Sequence, residues 1–525
     1  MKNQQPLGFS VQLQIRLDGR RIRRWHVDLL GLLSKVPGVG VTVNAAPGYG
    51  SLPRSGERLV LFDAICSGIG QTVSLAAAPA DLAAYQVSSG RSIDITLDLC
   101  GDVDPRAGRV WRLTYAASAA AGEHDIVGAY GEVALLELLL GGHAPVAAIS
   151  EEGRVVAAGR LGTEHRGTVM LAFEDYLTRT ATLIVATLRG SARTPPMLCD
   201  PPLPSVGQPL GNRNLGVAAA RQMVRSVLRH GFHLCYLSPH WRVGWRRLDG
   251  PDVMESRRHP RDGWQNLPDD GQRFYADPFP LEFGGEVTLF LEEFVHRSGR
   301  GVISAVKFGP EGPVGRPTPV LERPYHLSYP FVFARDGEVW MIPESCAAGT
   351  IDLFRATDFP GGWVKEATLV AEVVASDATI VEHGGKWWMF ATVRDHGGAF
   401  SDTLHLWSAP DFRGPWAPHH GNPIMIDISA ARPAGRIVSR GSVLLRPVQD
   451  CRRGYGAALG IARIQQLDDD GYAQVVEATL TAGPEWPGSR LHTLNCAGGF
   501  EFIDGSAKAP SRLGSRISQW INTTS

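Results

Sequence analysis

Hydrophobic and polar positions in the second half of the chain repeat as pairs of short apolar runs around a glycine turn. The first pair is Phe-Pro-Leu-Glu-Phe at 279–283 and Val-Thr-Leu-Phe-Leu at 287–291. Two apolar runs separated by a short glycine-containing turn predict a β-hairpin. Similar glycine turns occur at Gly337-Glu338-Val339, Gly385-Lys386-Trp387 and Gly441-Ser442-Val443. The pattern therefore predicts a series of related hairpins.

Each hairpin opens with a characteristic residue, and these openers recur at a nearly constant interval. Asp277, Tyr329, Asp377 and Arg432 follow one another at steps of 52, 48 and 55 residues, and a weaker copy begins near Asn495. A period of about 50 residues built from short strands is typical of β-propeller blades. We predict a five-bladed propeller over residues 231–505, with the strand-like segment 241–246 closing the circle.

Hairpin geometry places the opener and the end of the second strand at the same edge of a blade. The residues 15 to 18 positions after the openers are also charged or polar. We therefore expect both sets to surround one mouth of the channel. The later set is Glu292, Glu293, Glu344, Arg394, Gln449 and Asp450.

The first half alternates strand-like and helix-like segments, which favours a parallel, Rossmann-like sheet over residues 1–190. Its predicted strands are 11–17, 59–62, 93–99 and 110–115, and its predicted helices are 25–33, 82–86, 130–140 and 171–188. Gly68-Ile69-Gly70 does not complete a dinucleotide-binding G-x-G-x-x-G motif. Residues 191–230 are predicted to form a proline-rich linker and a helix at 214–229, and residues 506–525 a flexible tail.

Composition and charge exclude several classes of function. The net charge of −1 gives no general attraction for nucleic acid. Seven cysteines without a C-x-x-C pair indicate a reducing compartment and no thiolate zinc site. The first ten residues do not read as a signal peptide, and no apolar run is long enough for a transmembrane segment. We expect a cytoplasmic protein without a metal site, and no motif identifies a cofactor.

Four segments of the second half carry a resemblance to a known family: Phe274–Phe279, Met341–Ser345, Arg446–Cys451 with Tyr455-Gly456, and His492–Asn495. Through them the second half resembles the five-bladed propeller at the N-terminus of plant glucosamine inositolphosphorylceramide transferases. More distantly, Ala-Asp-Pro-Phe followed by Gly-Gly-Glu-Val is similar to the first blade of arabinanase-like glycoside hydrolases. The resemblance implies a pocket that handles sugars. It also implies three catalytic carboxyl groups: a carboxylate base in the first blade, an aspartate in the third blade that modulates the other two, and a glutamate from another blade that acts as the acid.

The first half resembles a degenerate formyltransferase domain through Ile93–Leu99 and Val110–Leu113. Formyltransferases use an asparagine and a histidine in a His-Pro-Ser-type loop. The corresponding stretch here is Thr114–Ser118, and the nearest histidines are His124 and His143. The chain thus departs from the pattern at the residues that would carry formyl transfer.

Glycosidic chemistry needs one ionised carboxylate and one protonated carboxyl group. We assign Asp277 as the base, Glu344 as the acid and Asp377 as the residue that positions them, because the apolar residues before Glu344 favour burial and a raised pKa. The predicted substrate-binding residues are Tyr329, Arg394, Arg432, Arg446, Gln449, Asp450, His492 and Asn495. Alternatively, both aspartates cap turns, and the arginines neutralise an acidic cluster. Asp504, before Gly505, is expected to be a turn residue.

Three functional hypotheses remain open. The first is a carbohydrate-active enzyme that transfers or hydrolyses a glycosyl group, in surface-glycan biosynthesis, with a saccharide or nucleotide-sugar as its ligand. The second is a non-catalytic scaffold that binds a glycan or a nucleotide-sugar. The third is a formyl or acyl transferase. Their shared requirement is a pocket of polar side chains, and the first two place it at the propeller mouth.

Overall fold

The computed structural model describes residues 11–66, 79–85, 92–116, 129–165, 167–190, 212–395, 397–486 and 488–511. The fold consists of two compact units. The first contains the described residues up to Ser226 with Gly397–Ala399 and Met425–Asp427, and the second contains the rest. None of the described helices has the length and apolar character needed to cross a membrane.

The first unit is a sheet with helices between its strands. Its elements are β1 (Val11–Arg16), α1 (Arg24–Leu33), β2 (Val39–Asn44), α2 (Arg54–Cys66), a 3-10 helix (Pro79–Tyr85), β3 (Ile95–Asp98), a 3-10 turn (Pro105–Ala107), β4 (Val110–Ala116), β5 (Ala129–Tyr130), α3 (Gly131–Leu140), β6 (Val146–Glu151), β7 (Arg154–Arg160) and α4 (Val169–Leu188).

The sheet order is β2-β1-β3-β4-β6-β7. The pairings β1–β2, β1–β3 and β3–β4 are parallel, whereas β6 and β7 join in antiparallel fashion. The expected parallel sheet is therefore correct for one half of the sheet and wrong for the other. Leu13 and Ile15 of β1 are buried in the core, where the sheet packs against its helices.

The predicted helices at 25–33, 130–140 and 171–188 and the predicted strands at 11–17, 93–99 and 110–115 are confirmed, whereas the helix at 82–86 is a 3-10 helix. The predicted strand at 59–62 is wrong, because it lies inside α2, where Leu59, Val60 and Ala64 form a buried helical face. Strands β2, β6 and β7 were not predicted. Gly68-Ile69-Gly70, Ala117-Ser118 and His124 lie outside the described residues, as do 191–211 of the linker and 512–525 of the tail. The Rossmann-like and formyltransferase-like assignment stays a prediction.

The remaining elements are mostly strands. They are α5 (Asn212–Cys235), β8 (Tyr236–Leu237), β9 (Trp241–Arg247), α6 (Val253–Ser256), β10 (Gln265–Asn266), β11 (Arg273–Phe283), β12 (Glu286–Val295), β13 (Arg300–Gly309), β14 (Gly312–Leu321), β15 (Ser328–Arg335), β16 (Glu338–Glu344), a 3-10 turn (Cys346–Ala348), β17 (Thr350–Asp358), β18 (Gly361–Ala371), β19 (Ala375–His383), β20 (Lys386–Val393), β21 (Thr403–Ala409), β22 (Ala417–Pro418), β23 (Met425–Ile426), β24 (Val438–Arg440), β25 (Val443–Asp450), β26 (Ala458–Leu467), β27 (Tyr472–Thr481), β28 (Thr493–Ala497), β29 (Phe500–Ser506) and β30 (Ala509–Pro510).

These strands form five blades, which confirms the predicted five-bladed β-propeller. Four blades are consecutive: β11-β12-β13-β14, β15-β16-β17-β18, β19-β20-β21-β22 and β24-β25-β26-β27. The fifth has the order β10-β9-β29-β28, so it combines strands from before the first blade and after the fourth. Strand β9 pairs with β29 over seven residues, from Trp241↔Ser506 to Arg247↔Phe500. This pairing is the closure expected for segment 241–246.

Aromatic residues fill the spaces between blades. Phe279 of the first blade contacts the rings of Tyr329 and Phe331 in the second, with centroids 4.7 and 5.7 Å apart. Phe333 contacts Phe412 in the third blade at 5.3 Å. Burial of such large apolar side chains supplies most of the stability of a sheet pair. The blades therefore hold a fixed geometry around the channel.

Candidate functional site

The openers of the first three blades share an unusual backbone conformation. Asp277, Tyr329 and Asp377 have φ angles of 51°, 42° and 58°. Each lies in a break of strand register, between Ala276 and Phe279, Ser328 and Phe331, and Ser376 and Thr379. Positive φ is rare for residues other than glycine, and a bulge redirects a side chain out of the normal alternation. The first three blades thus share a β-bulge with a positive φ angle at the same position.

Each strained position is held by a carboxylate from the preceding blade. The backbone N–H of Asp277 donates to Oδ2 of Asp504 at 2.8 Å, and that of Tyr329 donates to Oδ2 of Asp277 at 3.1 Å. The N–H of Asp377 donates to Oε2 of Glu344, also at 3.1 Å. Carboxylates of the fifth, first and second blades therefore each accept a hydrogen bond from the opener of the next blade. One oxygen of each of these acids thus bonds backbone of the next blade, and the alternative that Asp277 and Asp377 cap turns stays a prediction.

His492 joins two of these carboxylates. Its Nδ1 lies 2.6 Å from Oδ1 of Asp504, and its Nε2 lies 3.2 Å from Oδ1 of Asp277. Thr493 also donates its hydroxyl to Oδ1 of Asp277 at 2.9 Å. The His492 ring stacks on Trp241 with centroids 4.3 Å apart. Although burial lowers the pKa of His492, the Asp504 and Asp277 carboxylates raise it above its usual value overall.

A second cluster forms around Arg432. Its Nε donates to Oδ2 of Asp377 at 2.6 Å, and its Nη2 lies 3.6 Å from Oε2 of Glu344. Gln449 donates from Nε2 to the same Asp377 oxygen at 3.2 Å. The Arg432 guanidinium also lies 4.7 Å from the centre of the Tyr455 ring. One cation therefore serves two carboxylates from neighbouring blades.

Burial and mutual repulsion raise the pKa values of three carboxyl groups here. Burial raises the pKa of Asp277 to about 6, with His492 opposing and Asp504 and Asp377 adding to the rise. Burial, and then the charge of Asp277, raise the pKa of Glu292 well above its ordinary value. Burial, and then Asp377, do the same for Glu344, against the effect of Arg432. The site therefore contains carboxyl groups of unequal acidity.

The same residues include a possible cation site. Asp277, His492 and Asp504 offer three ligand atoms within 4.8 Å of one another, all buried. A hydrogen bond between His492 and Asp504 and a close contact between His492 and Asp277 already pair these atoms among themselves. The donor set suits a metal such as zinc, which accepts imidazole and carboxylate ligands. The prediction of no metal site stays a prediction.

Some predicted binding residues lie next to the acids but have internal partners. The Tyr329 hydroxyl bonds Thr379 Oγ1 at 2.9 Å and accepts from the Gly435 N–H at 2.8 Å. Asn495 donates to the Pro278 carbonyl and accepts from the Arg436 N–H, both at 2.8 Å. These contacts tie the strands together beneath the acids.

Three other predicted residues are engaged elsewhere. Arg446 is fully buried and donates to the carbonyls of Ala430 and Ala431, and burial lowers its pKa. Asp450 accepts from Arg452 at 2.7 Å, and Arg394 lies 4.6 Å above the Phe400 ring. These contacts link each of them to its own loop or strand, so none provides support for the predicted ligand contact.

Two central acids were given no catalytic or binding role by the sequence, although Glu292 was expected at the mouth. Asp504 is not a turn residue, because it lies fully buried on β29 and bonds His492 and Asp277. Glu292 lies at the end of β12, opposite Ala276 in register, with its Oε1 3.3 Å from His326 Nε2. Both end the second strand of a blade hairpin, the position that Glu344 occupies on β16. That shared position was the available signal.

Comparison with known proteins covers the propeller. Residues 268–498 match the family model described as glucosamine inositolphosphorylceramide transferase 1, N-terminal. The glucosamine inositolphosphorylceramide transferase 1 of Arabidopsis thaliana is 34% identical over 230 residues, which are 42% of this chain and 30% of that protein. The Oryza sativa subsp. japonica protein is 31% identical over 251 residues, 45% of this chain and 34% of its own. The chain therefore spans about a third of the curated relatives it matches.

Solved structures show a looser similarity. A thermostable family-43 glycoside hydrolase superposes with a TM-score of 0.31 at 15% identity, covering 41% of this chain and 78% of the other. A family 117 glycoside hydrolase from Zobellia galactanivorans gives a TM-score of 0.33 at 12% identity, with coverage of 50% and 90%. Superpositions this loose carry no conclusion about chemistry.

Proposed function

We propose that the propeller is a carbohydrate-active enzyme unit that transfers or hydrolyses a glycosyl group. The observation that carries the proposal is the strained and buried pair Asp277 and Asp377, next to carboxyl groups whose pKa values are raised. Strained backbone at non-glycine residues concentrates at functional sites, because a stable scaffold has to maintain it. Two such aspartates in equivalent positions of two blades are difficult to explain by turn formation alone.

The unequal acidity supports a division of roles. With a pKa of about 6, Asp277 is mostly ionised at neutral pH and available as a base. Glu344, with its pKa raised well above the ordinary value by burial and Asp377, stays protonated more readily and serves as the acid. Asp377, paired with Arg432, positions both partners. Glu292, whose pKa is raised as well, is the alternative acid.

The relatives support the same class of chemistry. They are named glucosamine inositolphosphorylceramide transferases, and the matched region corresponds to the N-terminal part of that family. We propose a saccharide or nucleotide-sugar as the ligand. We also propose a role in surface-glycan biosynthesis and a cytoplasmic location, which cell fractionation of the tagged full chain tests.

The decisive experiment compares carboxyl variants on a panel of aryl glycosides and nucleotide-sugars, with release of the leaving group as the readout. Asp277→Asn and Glu344→Gln should each lower turnover by about 10²–10⁴-fold, the usual contribution of a general acid or base. Glu292→Gln tests the alternative acid. Its matched control is Glu293→Gln, because Glu293 is the next residue, is also buried, and bonds Ser304 at 2.7 Å and Arg273 at 2.5 Å instead of the central acids.

The proposal fails if Asp277→Asn and Glu344→Gln keep the wild-type rate on every substrate that the wild type converts. A rate loss in Glu293→Gln equal to that in Glu292→Gln would show a general folding effect. Folding of each variant is checked by its thermal transition. These outcomes separate a chemical role from a structural one.

A second candidate function is a scaffold that binds a glycan or nucleotide-sugar without turnover. It is favoured by the extent of internal pairing, since the side chains of Asp277 and Asp377 are only 6% and 3% exposed. Under this alternative, the wild type binds a saccharide but releases no product, and Asp277→Asn changes affinity alone. Calorimetric titration alongside the turnover assay distinguishes the two.

A further inference from the structure

The first unit has a cavity that the propeller chemistry does not use. It measures about 730 Å³ and lies between the β1–α1 loop, residues 18–23, and the β2–α2 loop with the first turns of α2, residues 48–57. Strands β1 and β2 are parallel, so both loops leave the same edge of the sheet. Ligands of α/β sheets bind outside the carboxyl ends of the strands, and small-molecule sites span about 300–1,000 Å³.

The cavity wall carries an excess of positive charge. Arg20, Arg21, Arg23 and Arg54 line it, against two carboxylates, Asp18 and Glu57. Arg21 and Arg23 both donate to a single oxygen of Glu57, at 2.8 and 2.6 Å. One carboxylate thus serves two guanidinium groups, and exposed Arg54 adds a further cation. Guanidinium forks suit the oxygens of phosphate groups.

Buried Asp18 fixes the two loops relative to each other. Its Oδ1 accepts from the N–H groups of Arg20 and Gly48, each at 3.1 Å, and from Arg20 Nε at 3.0 Å. Burial raises the pKa of Asp18, but the bonds from Arg20 and Gly48 hold it below its usual value overall. The cationic wall therefore exists before a ligand arrives, which lowers the entropic cost of binding.

The loops also pack too closely for side chains at two glycines. A Cβ on Gly19 would lie 1.9 Å from the Ala45 carbonyl oxygen, and one on Gly48 would lie 2.8 Å from the Cys100 sulfur. The Gly19 contact is with backbone of the β2–α2 loop, so only glycine fits there, whereas Gly48 meets a side chain that follows β3. The backbone contact at Gly19 holds the β1–α1 loop against the β2–α2 loop.

An aromatic platform completes the lining. Tyr49 lies on the β2–α2 loop, and 77% of its surface is exposed. An exposed aromatic ring next to cations is a typical stacking surface for a nucleobase, and such stacking contributes to affinity largely independently of base identity.

We infer that this cavity binds a nucleoside phosphate, with the phosphates on the arginines and the base stacked on Tyr49. The inference is independent of the glycosyl chemistry proposed for the propeller, because every residue it uses belongs to the first unit.

The experiment is calorimetric titration of the full chain with UDP, ADP, uridine and inorganic pyrophosphate. We expect saturable binding of the two diphosphates with Kd below about 1 mM, weakening as salt is raised because the contacts are ionic. Arg54→Ala should reduce their affinity about tenfold, as for a lost charge-assisted hydrogen bond. The matched control is Arg58→Ala, one helical turn further along α2, also exposed but outside the cavity lining.

The aromatic contact has its own variants. Tyr49→Ala should weaken UDP and ADP about tenfold and leave pyrophosphate unchanged, whereas Tyr49→Phe should retain nucleotide affinity. Because Tyr49 and Arg54 are exposed, these variants are expected to fold. Absence of saturable diphosphate binding below 1 mM overturns the inference. Equal affinity in Arg54→Ala and Arg58→Ala does so too, as does nucleotide binding insensitive to Tyr49→Ala. Loss of turnover in Asp277→Asn with nucleotide affinity intact would support both proposals separately.

Discussion

Removal of the Arg432 charge provides a quantitative test of the carboxylate cluster. The Arg432→Met variant keeps a long apolar side chain but loses the bonds to Asp377 and Ser401 and the ion pair with Glu344. The Arg432, Asp377 and Glu344 side chains are 8%, 3% and 10% exposed, so solvent cannot replace the lost cation. Breaking a buried ion pair from one side costs about 3–5 kcal/mol, because a buried charge remains without a partner.

That free energy has a measurable thermal equivalent. For units of roughly 150–250 residues, 1 kcal/mol shifts the melting temperature by about 2–4 °C, so we expect a decrease of about 6–20 °C. The loss should depend on pH. The pKa of Glu344 is already raised by burial, and Arg432 is the group that opposes the rise. Without Arg432 this pKa rises further, so the protonated form is favoured in the folded state and the destabilisation grows as pH increases.

Calorimetry at pH 5 and pH 8 measures both effects. Arg432→Lys, which retains a charge but not the planar fork, should lie between wild type and Arg432→Met. Adding Asp377→Asn to Arg432→Met should recover part of the loss, since one of the unpaired charges disappears. Arg413→Met is the control, because Arg413 stacks on Phe412 with its side chain 38% exposed. A variant within about 1 kcal/mol of wild type at pH 8, or equally destabilised at both pH values, would refute this account of the cluster.

Three further predictions concern the same region. Asp277→Asn should become more stable relative to wild type by about 2–3 kcal/mol as the pH rises from 4 to 7, measured in urea titrations. The folded state raises the pKa of Asp277 to about 6, so ionisation of this carboxyl destabilises the wild type but not the variant. A pH-independent difference would contradict this. Tyr329→Phe should cost about 1–3 kcal/mol in the same titration, because the buried Gly435 N–H loses its acceptor; an unchanged unfolding midpoint would exclude it. Gly435→Ala should destabilise the protein more than Gly441→Ala. At Gly435 φ is 134° and a Cβ would lie 2.2 Å from the Leu494 carbonyl oxygen, whereas at Gly441 a Cβ meets open space. Equal melting temperatures would show that the backbone around residue 435 shifts to accommodate the Cβ.

The repeat was predictable because its signals are local. A glycine turn between apolar runs specifies a hairpin, and hairpin geometry alone brings an opener such as Asp277 to the same edge as Glu292. Constant spacing then repeats that edge around the channel. The openers of the first three blades and Arg432 do converge on one network of hydrogen bonds.

The missed features depend on pairing between distant segments. Asp504 acts through His492 and Asp277, and only the closure of the fifth blade places these residues together. The bulges at the openers are invisible in the pattern, because a positive φ at tyrosine or aspartate has no sequence signature comparable to glycine. Short segments fail for a related reason: four apolar residues at 59–62 fit a strand or a helix face equally well.

The composite blade also determines where the propeller can be cut. The family match at 268–498 omits all of β9 and β29, which pair over seven residues. A fragment with those limits would retain four blades and an unpaired β28, whose exposed backbone groups favour association with other chains. A minimal recombinant propeller should therefore extend from Trp241 to at least Ser506. New chain ends are better placed at an open hairpin turn such as Gly384-Gly385, with residues 506 and 241 joined by a linker, than at the seam between β9 and β29.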